Sequence, residues 1–162
     1  MQPVVGTDHI FLGSYRTRAW TGNLKAHAIN TPDNGITFTI GPDEVWSAAS
    51  RLDAMTYTSR NIYYQRRVAT ATGVNSSLGA FTWANLNSDT DASTLLNHFN
   101  RFCDQTTIPT QCPTLTATQK TSAKGENLVN FLRGERTHEG TLYRTRESRL
   151  GDIVDASPVF VG

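Results

Sequence analysis

The chain has 162 residues, a formal net charge of +1 at pH 7 and a hydrophobic fraction of 38%. This length favours one compact domain with a single core, and abundant Thr, Ser and Asn are typical of β-rich, surface-exposed proteins. The near-zero charge excludes binding to nucleic acid or to anionic lipid by bulk electrostatics. No apolar stretch of the sequence reaches the length that would cross a bilayer.

The N-terminal part of the chain favours antiparallel strands. Residues 4–29 carry apolar runs with partial alternation, which are typical of β structure. The Asn34-Gly35 pair favours a tight hairpin turn, because both residues tolerate positive φ values. Beyond this turn Ile36, Phe38 and Ile40 alternate with polar residues, so we predict a hairpin with one buried face.

A helix is predicted directly after that hairpin. Gly41-Pro42 interrupts the strand pattern, and Asp43 is the predicted N-cap of a helix over residues 45–54. Further along the chain the pattern predicts a strand over residues 60–70. A loop over residues 73–79 and another short strand over residues 80–83 are expected to follow.

The polar stretch at residues 87–93 allows two interpretations. Its alternating oxygen-bearing side chains suggest a calcium loop, but the glycine and the final acidic residue of such a loop are missing. The alternative is that Asp91 or Ser93 caps a helix. The apolar residues of that helix would be Leu95, Leu96, Phe99 and Phe102. We favour capping and expect no metal site.

The two cysteines of the chain lie on either side of a short polar segment. Cys103 and Cys112 enclose residues 104–111, which include Pro109, and no histidine lies at the spacing of a zinc site. We therefore predict a local disulfide, with free buried thiols as the alternative. Closing this loop would stabilise the fold by roughly 2 to 3 kcal/mol.

A last helix is predicted near the C-terminal end. It would begin at Thr118 or Ser122 and end at Gly134, with Gly125 as a weak point. The side chains expected to face inward are Leu128, Phe131 and Leu132. After the Gly151-Asp152 turn, a β-branched run interrupted by Pro158 predicts a final strand.

An arginine-rich loop separates this helix from the final strand. Its cationic residues are Arg133, Arg136, Arg144, Arg146 and Arg149. They alternate with the acidic residues Glu135, Glu139, Glu147 and Asp152. This interleaving favours intramolecular arginine–carboxylate pairs over a phosphate or glycan-sulfate site. We expect Arg144 or Arg146 to bind an acidic group and so hold the strand over residues 152–161 in register.

Catalytic patterns are not found in the sequence. There is no nucleophile-elbow motif, no phosphate-binding loop and no dinucleotide fingerprint, and the four histidines are scattered. We therefore predict no enzymatic activity and no cofactor. Aromatic residues among Asn and Thr allow a weaker alternative, a sugar-stacking surface. Its candidates are Trp20, Tyr57, Tyr63, Tyr64, Trp83 and Tyr143, although Trp20, like Trp46, is more simply explained as a core residue.

Several short motifs, taken in order, resemble the PilC/PilY family of type IV pilus tip-associated adhesins and biogenesis factors. The upstream motifs are the run at residues 20–26, Trp46-Ser47-Ala48-Ala49 with Leu52, and Ser59-Arg60-Asn61-Ile62. The downstream motif residues are Arg133, Gly134, Glu139, Arg144, Arg146, the run at residues 150–154, Ser157, Pro158, Val159, Val161 and Gly162. The chain departs from the family at Glu135, where Asp is usual, and at Ala156, where a second Ser is often found.

This resemblance implies a fold and a role. The fold would be mainly β with short helices (α+β) and antiparallel strands, and residues 151–162 would form the first strand of a β-propeller. The chain would be a noncatalytic structural or adhesive module supporting pilus assembly and surface attachment. The alternative is a free-standing carbohydrate-binding or quinoprotein-like propeller fragment.

The resemblance also implies partners and a location. The partners would be pilus subunits or the rest of a larger adhesin, with possible β-strand pairing to another chain. Family members are exported to the periplasm and then to the cell surface at the pilus tip. No signal segment follows Met1, so we expect the chain to be a piece of a longer protein.

Overall fold

The computed structural model describes residues 4–5, 8–16, 21–33, 37–104, 112–151 and 153. The predicted Asn34-Gly35 turn and Trp20 lie outside these residues. The same holds for the predicted strand over residues 152–161 apart from Ile153, and so for Asp152, Ser157 and Pro158. The predicted mixture of antiparallel sheets and short helices is confirmed. Over the part of the chain that the structure describes, the strands form no closed barrel or propeller.

The chain forms two compact units. The first comprises Met1–Met55 with Arg146–Gly162, and the second comprises Thr56–Thr145. No feature of the sequence indicated this division, and the one-domain interpretation stays a prediction.

The first unit contains an antiparallel sheet of four strands in the order β1-β2-β3-β4. Its elements are β1 Val4–Val5, β2 His9–Arg16, β3 Thr21–Asn30, β4 Thr39–Ser47 and the helix α1 Ala48–Ala54. The β2–β3 pairing is regular from His9↔Ala28 to Arg16↔Thr21. Ile10 and Ala26 are buried on this hairpin. The predicted strand pattern before Asn30 is therefore confirmed.

The prediction that a helix starts at Asp43 is wrong. β4 continues through Gly41-Pro42 to Ser47, and its pairing with β3 has register shifts between Ala26 and Ile29. An edge strand tolerates proline, because the missing N–H can face away from the sheet. The N-cap of α1 is Ser47, whose hydroxyl accepts from the Ser50 N–H at 3.3 Å.

The predicted buried face of this strand is also wrong. Phe38 is 68% exposed and Ile40 is 45% exposed. Shortly before β4, the Asp33 carboxylate accepts from the Thr37 N–H at 2.8 Å and from the Thr37 hydroxyl at 2.7 Å. Both bonds lower the pKa of Asp33, and the bond from the Thr37 hydroxyl has the larger effect.

The second unit begins with a 3₁₀ turn and a hairpin and continues with helices. Its elements are the 3₁₀ turn Tyr57–Ser59, β5 Tyr63–Thr70, β6 Gly73–Ala80, α2 Trp83–Asn87, α3 Ala92–Asn100, the 3₁₀ turn Cys112–Thr114, α4 Ala117–Ser122 and α5 Glu126–Arg133. β5 agrees with the predicted strand. The predicted loop over residues 73–79 is wrong, because these residues form β6, paired to β5 from Gly73 to Ala80.

The short strand predicted over residues 80–83 is also wrong. Thr82 is the N-cap of α2, and its hydroxyl accepts from the Asn85 N–H at 3.3 Å. A threonine at the N-cap accepts a bond from an N–H of the first helical turn that has no partner within the helix. This bond favours a helix, and not a strand, from Trp83 onward.

Asp89 joins the β5–β6 hairpin to the helices. Its carboxylate accepts from the Arg67 N–H and from the Asp91 N–H, both at 2.9 Å. Both bonds lower the pKa of Asp89, and the bond from the Arg67 N–H has the larger effect. Asp91 is the N-cap position of α3, as predicted, but its carboxylate pairs with the Arg67 guanidinium at 2.7 Å and not with the helix end.

The predicted last helix is two helices. α4 opens with a capping box between Thr116 and Gln119, and the chain then breaks at Gly125, which has φ 63°. α5 ends at Gly134 in the left-handed conformation with φ 110°, as predicted. Val129 is fully buried, whereas Leu132 is 50% exposed, so the prediction that Leu132 faces inward is wrong.

The core of the second unit forms around α5 and the loop that follows it. The buried residues of this core are Ala123, Leu128, Leu142 and Tyr143, with Phe99, Phe102, Cys103, Leu115 and Phe131 packed against them. The core thus combines the predicted helix with a loop that the sequence pattern did not place inside.

The predicted disulfide is confirmed. Cys103 and Cys112 are bonded, and their Cα atoms lie 5.4 Å apart. Cys112 is buried, and Cys103 packs against the core of the second unit. The bond therefore ties α3 and the chain that leads into α4 to the same core.

Replacing both cysteines by serine is expected to lower the free energy of unfolding by about 2.5 kcal/mol. The bond closes a loop with a sequence separation of 9, and its loss returns conformational freedom to the unfolded chain. Urea denaturation of the oxidised protein and of the double variant measures the difference. A variant as stable as the oxidised protein would show that the bond does not constrain the core.

Candidate functional site

The C-terminal motif returns to the sheet of the first unit at a glycine. The N–H of Gly22, on β3, donates to the carbonyl of Gly151 at 3.2 Å. A Cβ atom at Gly22 would lie 2.6 Å from the N of Ile153 and 3.0 Å from the O of Gly151. Only glycine lets the two backbones approach this closely. We call residues 147–151 with Ile153 the returning segment.

Arg149 attaches the returning segment to α1. Its backbone N–H donates to Asp53 Oδ1 at 2.8 Å, and its Nη1 donates to the Asp53 carbonyl oxygen at 2.5 Å. Asp53 lies in the last turn of α1, where helix carbonyls have no partner within the helix. The Arg149 side chain is only 16% exposed, so these bonds lie away from bulk water.

Glu147 makes a second, more exposed connection. Its Oε1 accepts from Arg16 Nη1, on β2, at 2.9 Å. The two side chains are 54% and 74% exposed, and an ion pair in water contributes little to stability. This pair orients the start of the returning segment and does not provide its main attachment.

The surface that receives the returning segment is fixed by Asn23 and Ser47. Asn23 Nδ2 donates to the Ser47 hydroxyl at 3.0 Å, and Asn23 Oδ1 accepts from the Ala49 N–H at 3.0 Å. One amide side chain on β3 thus bonds both the N-cap and the first turn of α1. This network gives a physical reason for the motifs at residues 20–26 and 46–49.

A groove of about 310 Å³ opens beside the returning segment. Its lining residues are Ser14, Tyr15, Arg16, Thr21, Gly22, Asn23, Lys25, Ala49, Glu147 and Ser148. Both cations of the groove are paired, because Arg16 contacts Glu147 and Lys25 contacts Glu44 at 2.7 Å. The groove was not predicted, since its residues come from three separate stretches of the sequence and no pattern indicated that these stretches meet.

The other predicted arginines belong mostly to the second unit. Arg136 pairs with Glu139 at 3.1 Å, and the Glu139 side chain is only 7% exposed. The Arg133 guanidinium lies 5.5 Å from the centre of the Tyr57 ring, as in a cation–π contact. Arg144 is exposed and Arg146 is half-buried. The prediction of arginine–carboxylate pairs within the loop thus holds for Arg136. The partner of Arg149, Asp53 on α1, was not predicted.

Among the aromatic residues suggested for a sugar-stacking surface, Tyr143 is too buried to contact a sugar. Tyr143 is 3% exposed, and its hydroxyl donates to the Ala123 carbonyl at 3.1 Å, so it is a core residue. The Tyr64 ring packs edge-on against the Phe81 ring, with the ring centres 6.3 Å apart, and burial raises the pKa of Tyr64. Tyr63 is 57% exposed on β5.

Two further properties bear on the function class. Among residues 8–16, 21–33, 37–104 and 112–151, no group of three or more His, Cys, Asp or Glu side chains is placed to hold a metal ion. No helix in the described chain has the length and hydrophobicity of a membrane span.

Comparison with known proteins supplies the relatives. No protein-family profile matches the chain, and no solved structure matches it. It is 33% identical over 144 residues to the type IV pilus biogenesis factor PilY1 of Pseudomonas aeruginosa strain PAK, and equally to that of strain PAO1. The PilY1 of strain UCBPP-PA14 is 32% identical over 143 residues.

These matches cover 88% of the chain but only 10% of each relative. The chain therefore spans about a tenth of the length of the curated relatives it matches. They confirm the resemblance that the ordered motifs suggested, since the matched region includes most of the chain. The chain, which corresponds to about a tenth of such a protein, belongs to the PilC/PilY family.

Proposed function

We propose that this chain is a noncatalytic structural module of a type IV pilus biogenesis factor. In this module, the sheet and α1 of the first unit hold the returning segment in a fixed position. The observation that carries the proposal is the backbone contact between Gly22 and Gly151, which leaves no room for a side chain.

The attachment is suited to holding a chain and not to transforming a substrate. Arg149 and Asp53 are 96 residues apart in sequence, so their bonds close a long loop. Two bonds from one arginine, backbone and side chain, fix both the position and the orientation of the segment. Such a geometry supports the role of a rigid connection to the next part of a longer protein.

The biological setting is inferred from the relatives. Their name places them in type IV pilus biogenesis, and we extend that role to the protein that contains this chain. Its partners would be pilus subunits or the rest of a larger adhesin. The protein would be located first in the periplasm and then at the cell surface. A contribution to surface attachment, and a role for Arg144 or Arg146 in fixing the final strand, belong to the same proposal.

The absence of catalysis is proposed on the chemistry of the site. The charged side chains that line the groove, Arg16, Lys25 and Glu147, are already in ion pairs, and no histidine lines it. Elsewhere His27 Nδ1 lies 3.1 Å from the Gly41 carbonyl, a contact that orients the ring within the sheet. A general base needs a lone pair free to take a proton from a nucleophile, and the Glu147 carboxylate of the groove is already paired with Arg16.

Replacing Arg149 by alanine is expected to lower the free energy of unfolding by about 2 kcal/mol and to speed hydrogen exchange at the Gly22 amide. The reason is that the Asp53 carbonyl loses its charged donor, so position 149 keeps only its backbone N–H bond to Asp53 and the segment beside Gly22 is held less firmly. Urea denaturation and hydrogen exchange by NMR measure the two effects.

Arg51→Ala is the matched control for this prediction. Arg51 lies on the same helix, α1, and is exposed, so its removal tests the loss of a positive charge alone. Its stability is expected to stay within about 0.5 kcal/mol of the parent. Equal effects of the two substitutions, or unchanged exchange at Gly22, would contradict the anchoring role of Arg149.

The pilus role is tested in the source organism. Deleting the gene that contains this chain is expected to reduce the number of surface pili, and the unaltered gene is expected to restore them. A deletion strain with a normal number of pili and normal attachment would overturn the proposed function.

A further inference from the structure

One edge of the β5–β6 hairpin is open. On the other edge, the Arg67 N–H donates to the segment at residues 89–90 at 2.9 Å, and the Arg67 carbonyl accepts from it at 2.8 Å. These groups point away from β6, so Arg67 and its partner Ser76 form a non-hydrogen-bonded pair. The N–H and carbonyl groups of Ser76 therefore point outward from β6, and those of Val74 and Leu78 do the same, because this direction alternates along a strand. Among the residues that the structure describes, none bonds to these outward groups.

The other sheet edges within the described residues have features that prevent pairing. β1 has only 2 residues, and the segment at residues 89–90 covers the outer edge of β5. β4 carries Pro42, Asp43 and Glu44, and its ladder with β3 has register shifts. Short length, proline, charge and irregular register all keep an edge strand from pairing with another chain. β6 is 8 residues long and contains neither a proline nor a charged residue.

The side chains beside the open edge are apolar and exposed. Val74 is 45% exposed and Leu78 is 77% exposed, and both lie on the same face of the hairpin as Ser76, since side chains alternate between the two faces. The charge of Arg67 on this face is balanced by its ion pair with Asp91 at 2.7 Å. A second strand placed along β6 would remove apolar surface from water and would meet no unpaired charge.

The open edge of β6 is complementary to itself. When two β6 strands run antiparallel about a two-fold axis at Ser76, this serine faces its own copy, and Val74 of each chain faces Leu78 of the other. The outward backbone groups of all three residues then find partners, and apolar side chains lie opposite apolar side chains. The net charge of +1 gives little repulsion between two copies. Only Gly79 of β6 is buried, so the rest of the strand is accessible along its length.

We propose that two copies of this chain associate through β6, so that two hairpins form one antiparallel sheet in the order β5-β6-β6-β5. The contact is much smaller than the roughly 800 Å² that each partner contributes to a standard interface. The dissociation constant is therefore expected to be about 0.1 to 1 mM. This association goes beyond the proposed function and does not depend on the attachment of the returning segment.

Analytical ultracentrifugation of the whole chain measures the association. The average mass is expected to be that of a monomer at about 10 µM and to rise towards that of a dimer near 1 mM. Over the same range, hydrogen exchange measured by NMR is expected to slow about twofold or more at the amides of Val74, Ser76 and Leu78. The slowing should be smaller at Asn75 and Ser77, whose N–H groups already bond to β5. A chain that stays monomeric throughout would overturn the proposal.

A lysine at the two-fold axis should prevent the association. Ser76→Lys places like charges directly opposite each other, and the dissociation constant is expected to rise at least about tenfold. Because Ser76 is exposed, the urea midpoint of the monomer is expected to stay unchanged. Gln65→Lys is the matched control, since it adds the same charge to the same face but on β5, away from the open edge. Association that survives in Ser76→Lys, or that is lost equally in both variants, contradicts pairing through β6.

A cysteine at the same position tests the register. Ser76 and its copy would form a hydrogen-bonded pair with Cα atoms about 5.5 Å apart, a distance that a disulfide spans. Oxidised glutathione is therefore expected to link Ser76→Cys into a dimer on a non-reducing gel. Asn75→Cys, the control, carries its thiol on the opposite face and would lie beside Ser77 of the second copy, so it is expected to link much more slowly. Equal linking of the two variants would rule out the proposed register.

Discussion

Replacing Gly22 by alanine is expected to destabilise the first unit by about 3 kcal/mol, the upper part of the range for a side chain forced into filled space. The added Cβ would lie 2.6 Å from the N of Ile153 and 3.0 Å from the O of Gly151. Both contacts are with backbone atoms, which cannot turn away as a flexible side chain can. The returning segment must therefore leave β3, and urea denaturation measures the cost.

A second glycine of the same sheet provides the control. A Cβ at Gly41 would meet no atom closer than the Ala28 carbonyl oxygen at 3.4 Å, an ordinary van der Waals distance. Gly41→Ala is therefore expected to change the free energy of unfolding by no more than about 0.5 kcal/mol. If Gly22→Ala were equally harmless, the returning segment would not be held against β3.

The strands β2 and β3 could be predicted, whereas the path of the next strand could not. Apolar runs with partial alternation between His9 and Ile29 indicated β structure, which the structure has as a regular antiparallel ladder. At Gly41-Pro42 the usual interpretation of proline as a strand breaker was wrong. β4 is an edge strand, and its register shifts against β3 accommodate a residue without an N–H.

β6 was missed for the opposite reason. Of its residues only Gly79 is buried, and Val74 and Leu78 are exposed on a strand of small and polar residues. The period of two that identifies a strand arises from burial of one face, and β6 buries almost nothing. Its pairing with β5 is set by the hairpin turn and not by hydrophobic patterning.

The candidate site could be predicted only in part. The family motifs marked Gly151 and the run that contains Gly22, but no pattern indicated that these two glycines touch. Among the arginines, charge alone did not identify Arg149, because the decisive partner is a backbone carbonyl at the end of α1. Helix ends accept such donors in general, but which arginine reaches one depends on the path of the chain.

Tyr143→Ala is expected to have the largest effect on stability, a loss of about 4 kcal/mol. The side chain is 3% exposed, its ring stacks on Phe131 with the ring centres 4.4 Å apart, and Phe102 lies at 6.0 Å. Truncation leaves a cavity between α5 and the loop, and also removes the partner of the Ala123 carbonyl. Tyr63→Ala, which removes an exposed tyrosine from β5, is the control and is expected to cost less than about 1 kcal/mol.

Tyr143→Phe separates the hydroxyl from the ring. It keeps the stacking and loses only the bond to Ala123, so a loss of about 1 kcal/mol is expected at neutral pH. Burial raises the pKa of Tyr143 above its ordinary value of 10.0, which means that the folded protein favours the neutral phenol. The contribution of this group is therefore complete below pH 10 and is lost as the pH rises above the unfolded value towards the folded one. Urea denaturation at neutral and alkaline pH should show the parent losing its advantage over Tyr143→Phe. An advantage that stays constant with pH would mean that the phenol can ionise in the folded core.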